Sequence, residues 1–195
     1  MLPEISLNIL DISQNSIKAG AKLIEILVEI DRAKETLLFE IRDNGCGMNE
    51  EQVTNVVDPF FTSRTTRKVG LGIPFLKQAA EGTGGEFSIQ SKVGVGTTVS
   101  ALFHTDNIDC MPLGDITETI WSIVTMNDNL DFVYTYRCDG KEFQLDTREI
   151  RNIVGDISFS VPEVSSFIKD FLKENKQCVD KVEQGRKSEE VYEIT

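Results

Sequence analysis

Four short motifs in the first hundred residues carry residue types that bind nucleotides. In chain order they are Asp11-Ile-Ser-Gln-Asn15, Asp43-Asn-Gly-Cys-Gly47, Gly70-Leu-Gly72 and Gly94-Val-Gly-Thr-Thr98. Carboxylate and carboxamide oxygens are ligands for Mg²⁺, and glycines let the backbone pass close to phosphates. Each motif alone is weak evidence, but the four together predict a nucleotide pocket.

The first motif lies in a segment with helical periodicity. One face is expected to enter a core and carries Ile5, Ile9, Ile12 and Ser16. Asn8, Asp11 and Asn15 recur at i, i+3 and i+7, so they are predicted to share a second stripe that can coordinate a cation. There Asn15 is predicted to serve as an oxygen ligand for Mg²⁺, and Asp11 is predicted to orient or deprotonate an attacking water. The alternative is a pair of exposed polar residues on a helix.

The second and fourth motifs can read a base. Asp43 is able to accept a hydrogen bond from an adenine amino group, while Gly45 and Gly47 let the chain turn beneath the base. In the fourth motif, Thr97 or Thr98 can place a hydroxyl near the adenine edge. An ordinary strand-end turn or a simple hairpin explains either motif when it is taken alone.

Hydroxyl groups and cations precede the glycines of the third motif. The candidate ligands of the outer phosphates are Thr62, Ser63, Arg64, Lys68, Gly70, Leu71 and Gly72. The stretch 58–72 has no clear period and is predicted to be a long, mobile loop, which in a compact domain is usually functional or disordered. A helix that begins after Gly72 adds oriented backbone N–H groups. A basic cluster in so acidic a chain favours phosphate binding over a solvated loop with chance charges.

Hydrophobic periodicity predicts the elements that must position these motifs. Helices are expected over 4–18, 49–56 and 71–80, and strands over 23–30, 36–42, 86–92 and 97–103. The resulting fold class is α+β. It is a two-layer sandwich in which a mixed, mostly antiparallel sheet is covered by helices on one face.

A smaller α+β region is predicted after the first 105 residues. It contains a helix capped by Asp115, a hairpin at Asp139-Gly140, a short helix that stops at Gly155, and a helix after the capping-box pattern of Ser160 and Glu163. The expected divisions are 1–105, 106–176, and a charged tail, 177–195, that is expected to be disordered. For 106–176, docking on the sheet, partner binding and dimerisation all stay open.

Composition excludes several classes of protein. With 20 basic and 32 acidic residues the net charge is −12, which argues against a nucleic-acid surface. No apolar run approaches the roughly 20 residues that span a bilayer, and the first residues lack the pattern of a secretory signal. We therefore expect a cytoplasmic protein without a membrane partner. The four cysteines form no C-x-x-C pair, so reduced thiols are expected rather than disulfides or a zinc site.

In their order and residue types the motifs resemble the boxes of the Bergerat-fold (GHKL) ATPases, which include gyrase B, the large heat-shock chaperones, sensor histidine kinases and MutL. The resemblance covers residues 4–104. The matches are Asp11–Asn15 with the N box, Asp43–Met48 with the G1 box, Asp58–Ser63 with the F box of histidine kinases, Gly70–Gly72 with the G2 box, and Gly94–Thr98 with the last, adenine-side box. The N box is closer to the MutL version, whereas the F and G2 boxes are closer to the kinases.

This resemblance implies binding of ATP with Mg²⁺ and a lid over 58–72. Carried over by position, Asn15 would hold Mg²⁺, Asp43 would read adenine, and the Gly70–Gly72 backbone would meet the phosphates. Two departures matter. The hydrolytic members have Glu where this chain has Asp11, and no segment resembles the kinase helix pair that bears the phosphoacceptor histidine. The single histidine, His104, ends a predicted strand and is expected to be structural.

The leading hypothesis is therefore a stand-alone phosphotransfer or ATPase module of the histidine kinase-like type. If it is a kinase, its phosphoacceptor lies on another chain. The alternative is a nucleotide-gated protein-interaction switch with little or no hydrolysis, which the shorter Asp11 favours. In either case the expected ligands are ATP, Mg²⁺ and a protein partner, and homodimerisation is left open.

Overall fold

The computed structural model describes residues 3–58 and 72–181, which form a six-stranded sheet and six helices. The strands are β1 (Leu23–Asp31), β2 (Thr36–Asp43), β3 (Glu86–Lys92), β4 (Gly96–His104), β5 (Asp131–Cys138) and β6 (Lys141–Asp146). The helices are α1 (Ile5–Lys18), α2 (Glu50–Val56), α3 (Gly72–Gly82), α4 (Ile116–Met126), α5 (Thr147–Val154) and α6 (Pro162–Asp180). The predicted fold class is confirmed.

Strand order explains how the two halves of the chain are joined. The order across the sheet is β3-β4-β2-β1-β5-β6, and every neighbouring pair is antiparallel except β1 with β5. The parallel pair aligns Ile24 with Phe132 and Val28 with Tyr136. The second half therefore extends the first sheet, and β1 lies in its interior.

Alternation along the strands puts the core on one side of the sheet. Buried side chains recur at every second position and include Ile24, Ile26 and Val28 of β1, Leu37, Phe39 and Ile41 of β2, and Phe132, Tyr134 and Tyr136 of β5. Ile5, Ile9 and Ile12 of α1 pack against this side and are also buried, as the periodicity predicted. Several of the intervening positions carry charged side chains, such as Glu25 and Glu29 of β1, so the opposite face of the sheet is more polar.

Side chains cap the starts of three helices, and Asp115 does so as predicted. Asn49 forms a capping box with Gln52, Asp115 accepts from the backbone of Glu118, and Asp146 accepts from the backbone of Arg148. The capping box predicted for Ser160 and Glu163 is wrong. Val161 precedes the first residue of α6, no side chain caps that helix, and Pro162 occupies its first turn, where proline has no N–H to satisfy.

The end of α6 also differs from the expected division of the chain. The helix continues to Asp180, four residues into the segment that was predicted to be a tail. Val179 is buried, and the Asp180 carboxylate accepts a hydrogen bond of 2.7 Å from the Tyr136 hydroxyl. Packing against β5 thus extends a helix that charge composition alone would end earlier. Residues 182–195 lie outside the described residues.

Two further expectations concern cysteines and membranes. All four cysteines are free thiols, as predicted. Among the helices of the described residues, none has both the length and the apolar character that crossing a membrane requires.

Truncation after Thr105 is expected to abolish cooperative folding. The cut removes β5, which covers one edge of β1, and the carbonyls of Pro112 and Leu113, which accept from the N–H groups of Ile5 and Ser6 at 3.0 and 2.9 Å. Circular dichroism during urea unfolding should show no sigmoidal transition for 1–105, while a control chain that ends at Lys181 should unfold like the full chain. A sigmoidal unfolding transition for 1–105 would contradict this prediction.

Candidate functional site

A buried carboxylate lies at the end of β2, where the second motif begins. Asp43 is 9% exposed, and its two oxygens accept hydrogen bonds from the Ser16 hydroxyl at 2.6 Å and from the Gly45 N–H at 2.8 Å. A buried carboxylate is tolerated when such donors replace water. Because each carboxylate oxygen has two lone pairs, Asp43 keeps the capacity to accept from a ligand.

Three segments hold the turn that follows Asp43. The Cys46 N–H donates to the carbonyl of Ala19 at 2.9 Å, and the Cys46 carbonyl accepts from the N–H of Gly94 at 2.8 Å. The Asn44 side chain accepts from the N–H groups of Lys22 and Leu23 at 2.7 and 2.9 Å. The end of α1, the start of β1 and the β3–β4 turn thus all position the second motif.

Gly47 is required by a close approach between backbones. Its φ is +64°, and a Cβ at this position would lie 2.0 Å from the carbonyl oxygen of Lys92. Gly45 is similarly confined, since a Cβ there would lie 2.9 Å from the Ala19 Cβ. These contacts explain both glycines of the second motif as parts of the frame around Asp43.

The side chains of Thr97 and Thr98 lie on opposite faces of the sheet. Thr97 is the cross-strand partner of Asp43, so their side chains share the helix-covered face of the sheet. Thr98 pairs with Arg42 and points to the opposite face. Thr97 therefore stays in the candidate site, whereas Thr98 does not accompany the Asp43 carboxylate, because successive side chains of a strand alternate between faces.

Ser91 is a site residue that the sequence analysis missed. Its hydroxyl accepts from the Met48 N–H at 2.8 Å, lies 3.0 Å from the Gly96 carbonyl and lies 2.9 Å from the Thr97 hydroxyl. It connects the end of the second motif to the fourth. A serine in a predicted strand carries no sequence signal for this role. Ser16, assigned to the core, is indeed buried, and the place of its hydroxyl beside Asp43 was also not foreseen.

Asp11 and Asn15 lie one turn apart on α1. The Asp11 side chain lies next to the start of α3. Asp11 is half-buried, and a Cβ on Gly72 would lie 2.0 Å from its Oδ2, so a side chain at the start of α3 would displace the Asp11 carboxylate. Asn15 is exposed. Its side chain makes no hydrogen bond within residues 3–58 and 72–181, which leaves its oxygen available to a ligand.

Asn8 lies on the same helical stripe as Asp11 and Asn15, but it is not available to a cation. It is buried, and its amide donates to the Glu4 carbonyl at 2.9 Å and lies 4.0 Å from the sulfur of Met111. The segment after β4 covers this side of the first helical turn. Sequence periodicity could not show that a residue more than a hundred positions away would bury Asn8.

The residues around Asn15 fit a cation that takes few ligands from the protein and most from water and phosphate groups. No group of three or more His, Cys, Asp or Glu side chains in the described part of the chain is arranged to hold a metal ion. Mg²⁺ commonly binds through one or two protein oxygens and completes its shell with water and substrate phosphates. Asn15, with Asp11 one turn away, offers that kind of partial site.

The remaining candidates fall elsewhere. Thr62, Ser63, Arg64, Lys68, Gly70 and Leu71 lie outside the described residues. His104 pairs with Thr36 at the far end of β4, seven positions from Thr97, so it lies away from the candidate site.

Comparison with known proteins matches the same half of the chain. Residues 4–107 match the family model described as histidine kinase-, DNA gyrase B-, and HSP90-like ATPase. The sensor histidine kinase YvrG of Bacillus subtilis is 29% identical over 93 residues, which are 46% of this chain and 16% of that kinase. YkoH, a sensor histidine kinase of the same organism, is 34% identical over 98 residues, or 48% of this chain and 21% of that kinase. The chain thus matches about a fifth or less of such relatives.

A solved structure extends the likeness beyond this half. It is described as the N terminal domain of a DNA repair protein, with a TM-score of 0.55 and 18% identity, and it covers 80% of this chain and 58% of that chain. At this identity the likeness concerns the fold alone. It supports the assignment of β5 and its neighbours to the same sheet as the matched half.

Replacing Gly47 with Ala is expected to destabilise the site. The new Cβ would meet the Lys92 carbonyl at 2.0 Å in addition to the strain of a positive φ, which together should lower the free energy of unfolding by about 2–4 kcal/mol. Gly94→Ala is the matched control, because Gly94 has a φ of +76° and a Cβ added there would meet no atom within 4 Å. It should lose about 1 kcal/mol in the same urea titration. Equal losses would show that the backbone contact of Gly47 is unimportant.

Proposed function

The chain belongs to the family of histidine kinase-, DNA gyrase B- and HSP90-like ATPases, and from that premise we propose that it binds ATP with Mg²⁺ at the site around Asp43 and Asn15. The proposed activity is transfer of the terminal phosphate, either to a protein acceptor on another chain or to water. Its relatives named as sensor histidine kinases favour the first of these.

The observation that carries this proposal is the anchored carboxylate of Asp43. Ser16 and Gly45 fix both of its oxygens, and Thr97 lies beside it on the same face of the sheet. A fixed acceptor next to a hydroxyl can recognise an exocyclic amino group and the ring edge of adenine. A nucleobase with an oxo group in place of that amine would present an acceptor to an acceptor.

Asn15 and Asp11 would act at the phosphate end of the nucleotide. Asn15 would hold Mg²⁺, which supplies charge neutralisation for the phosphates, and its exposed side chain has an oxygen to give. Asp11 would orient the attacking group through its carboxylate. Because Gly72 has no side chain, the start of α3 lies close to this carboxylate. Positioning and charge neutralisation are the principal contributions that a protein makes to phosphoryl transfer.

We include residues between positions 62 and 71 in this proposal on the strength of their types and order. Thr62, Ser63, Arg64 and Lys68 offer hydroxyls and cations for the outer phosphates, and Gly70 and Leu71 precede the first turn of α3. The start of that helix lies beside Asp11, and the free N–H groups of a first helical turn suit an anion.

A second function, a nucleotide-gated interaction switch, is favoured by the length of the side chain at position 11. Asp is one methylene shorter than Glu, so its carboxylate reaches less far from α1. In a switch, ATP would bind without appreciable turnover and a partner would recognise the bound state.

Base selectivity tests the role of Asp43. Wild-type protein should bind ATP at least about 100-fold more tightly than inosine triphosphate, which has an oxo group in place of the amine. Asp43→Asn should reduce this ratio severalfold or more, because its amide can turn a donor toward the oxo group. Glu40→Gln is the control, since Glu40 lies three positions earlier on the opposite face of β2 and should not change the ratio. Calorimetric titration measures all three proteins, and an unchanged ratio in Asp43→Asn would refute the proposed base site.

The magnesium role of Asn15 is tested by the difference in ATP affinity with and without Mg²⁺. Asn15→Ala should lose about tenfold or more of the gain in affinity that Mg²⁺ gives, because one protein oxygen leaves its shell. Gln14→Ala is the matched control, as Gln14 is exposed at the preceding position of α1. If Asn15→Ala kept the wild-type response to Mg²⁺, Asn15 would not be a ligand.

Phosphate release from the same samples separates the candidate activities. Release without an added protein, lowered at least about 100-fold in Asp11→Asn, would establish an ATPase. Tight binding without release would exclude that version, and transfer of labelled phosphate to a protein acceptor would then identify a kinase. Absence of both transfer and release, with binding intact, would favour the switch.

A further inference from the structure

The hydroxyl of Ser91 has three hydrogen-bonding neighbours, and two of them determine the direction of its bonds. The Met48 N–H can only donate, and its nitrogen lies 2.8 Å from the Ser91 oxygen. The Gly96 carbonyl can only accept, and it lies 3.0 Å from the same oxygen. Because a serine hydroxyl has a single proton, that proton is committed to Gly96. Ser91 therefore has only a lone pair left for its third neighbour, Thr97.

Thr97 is then the donor in its contact with Ser91. The two hydroxyl oxygens lie 2.9 Å apart, and the distance alone allows either of them to donate. When Thr97 donates, all three contacts of Ser91 are hydrogen bonds, whereas donation by Ser91 to Thr97 would take its proton from the Gly96 carbonyl. Loss of a hydrogen bond at a part-buried carbonyl costs free energy. The proton of Thr97 is thus also committed, and its hydroxyl has only lone pairs to offer a ligand.

Thr97 lies beside Asp43, the acceptor proposed to recognise the base. The two residues are directly opposite on β4 and β2, so their Cβ atoms are about 5 Å apart on the helix-covered face of the sheet. Within residues 3–58 and 72–181, the hydrogen-bond partner of the Thr97 hydroxyl is Ser91 alone. Both oxygens of Asp43 already act as acceptors, toward Ser16 and Gly45. A ligand bound here would therefore meet two neighbouring acceptors.

We propose that Ser91 is a positioning residue for base recognition, which holds the Thr97 hydroxyl as an acceptor next to Asp43. The inference rests on the proposed ATP site, and it narrows the ligand to nucleotides whose base presents amino hydrogens at this edge. The exocyclic amine of adenine has two such hydrogens. A base that presents only ring nitrogens would leave both acceptors without a donor, which costs affinity. Thr97 could donate to such a base only by breaking its bond with Ser91.

Purine riboside triphosphate tests this role, because a hydrogen replaces the amine and the ring nitrogens at its base edge only accept. The ratio of its dissociation constant to that of ATP measures the preference for the amine. This ratio should fall about threefold or more in Ser91→Ala, since the freed proton of Thr97 can then be donated to a ring nitrogen. Ser91→Thr keeps a hydroxyl and should keep the wild-type ratio. Calorimetric titration measures both ligands, and an unchanged ratio in Ser91→Ala would overturn the proposal.

A double-mutant cycle separates this role from a general effect on the fold. Thr97→Val removes the second hydroxyl, so Ser91→Ala should leave the ratio unchanged in the Thr97→Val background. An equal change in both backgrounds would overturn the proposal, because Ser91 would then act without Thr97. Ser88→Ala is the matched control, since Ser88 is exposed on the same strand, three positions earlier and on the opposite face. Urea unfolding of each variant shows whether the fold is retained.

The direction of the bond can also be measured without nucleotide and without a substitution, so this test applies even if Ser91→Ala does not fold. Neutron diffraction from crystals of the deuterated full chain locates the hydroxyl deuterons. The deuteron of Thr97 should point to the Ser91 oxygen, and that of Ser91 to the Gly96 carbonyl. A deuteron of Ser91 that points to Thr97 would overturn the proposal even if ATP binds. If the wild type bound neither nucleotide, the proposed ATP site would be wrong, and the deuteron positions would still show whether Ser91 holds Thr97 as an acceptor.

Discussion

The carboxylate of Asp43 is the group on whose burial the organisation of the site depends. Removing a carboxylate from water costs several kcal/mol unless donors replace the lost hydration. Ser16 supplies one donor from α1, and Gly45 supplies another from the turn that Asp43 itself begins. A helix, a strand end and a turn must therefore take up their positions together, because displacement of the helix or of the turn would leave one carboxylate oxygen without its donor.

The glycines and small polar residues around Asp43 then follow as consequences of this close packing. The Lys92 carbonyl leaves no room for a side chain at position 47. Asn44 accepts from the backbone N–H groups at the start of β1 and just before it, and Ser91 accepts from that of Met48. Most of the hydrogen bonds of the site hold the frame in place. Among the described residues, the groups left for a ligand are few: the remaining lone pairs of Asp43, the Thr97 hydroxyl, and the side chains of Asp11 and Asn15.

Local patterns were enough to predict the elements and the fold class, because strands that alternate and helices with a 3.6-residue period are encoded within ten or so residues. They failed where distant residues decide. Asn8 shares a helical stripe with Asp11 and Asn15, yet Met111 covers it. Thr97 and Thr98 look equivalent until the register with β2 assigns each a face. The cap at Ser160 failed for a local reason, since α6 begins at Pro162 and Val161 takes the capping position.

The parallel pairing of β1 with β5 also means that the sheet cannot be completed until long after β1 has been synthesised. About 100 residues separate the two strands, and at roughly 5–20 residues per second a ribosome needs roughly 5–20 s to make them. During that interval one edge of β1 has no neighbouring strand. Pairing with β5 then requires closure of a long loop, and this entropic cost comes before the new contacts stabilise the sheet. Glu25 and Glu29 alternate with the buried residues of β1, and such charges discourage pairing with the wrong chain while the correct partner is still being made.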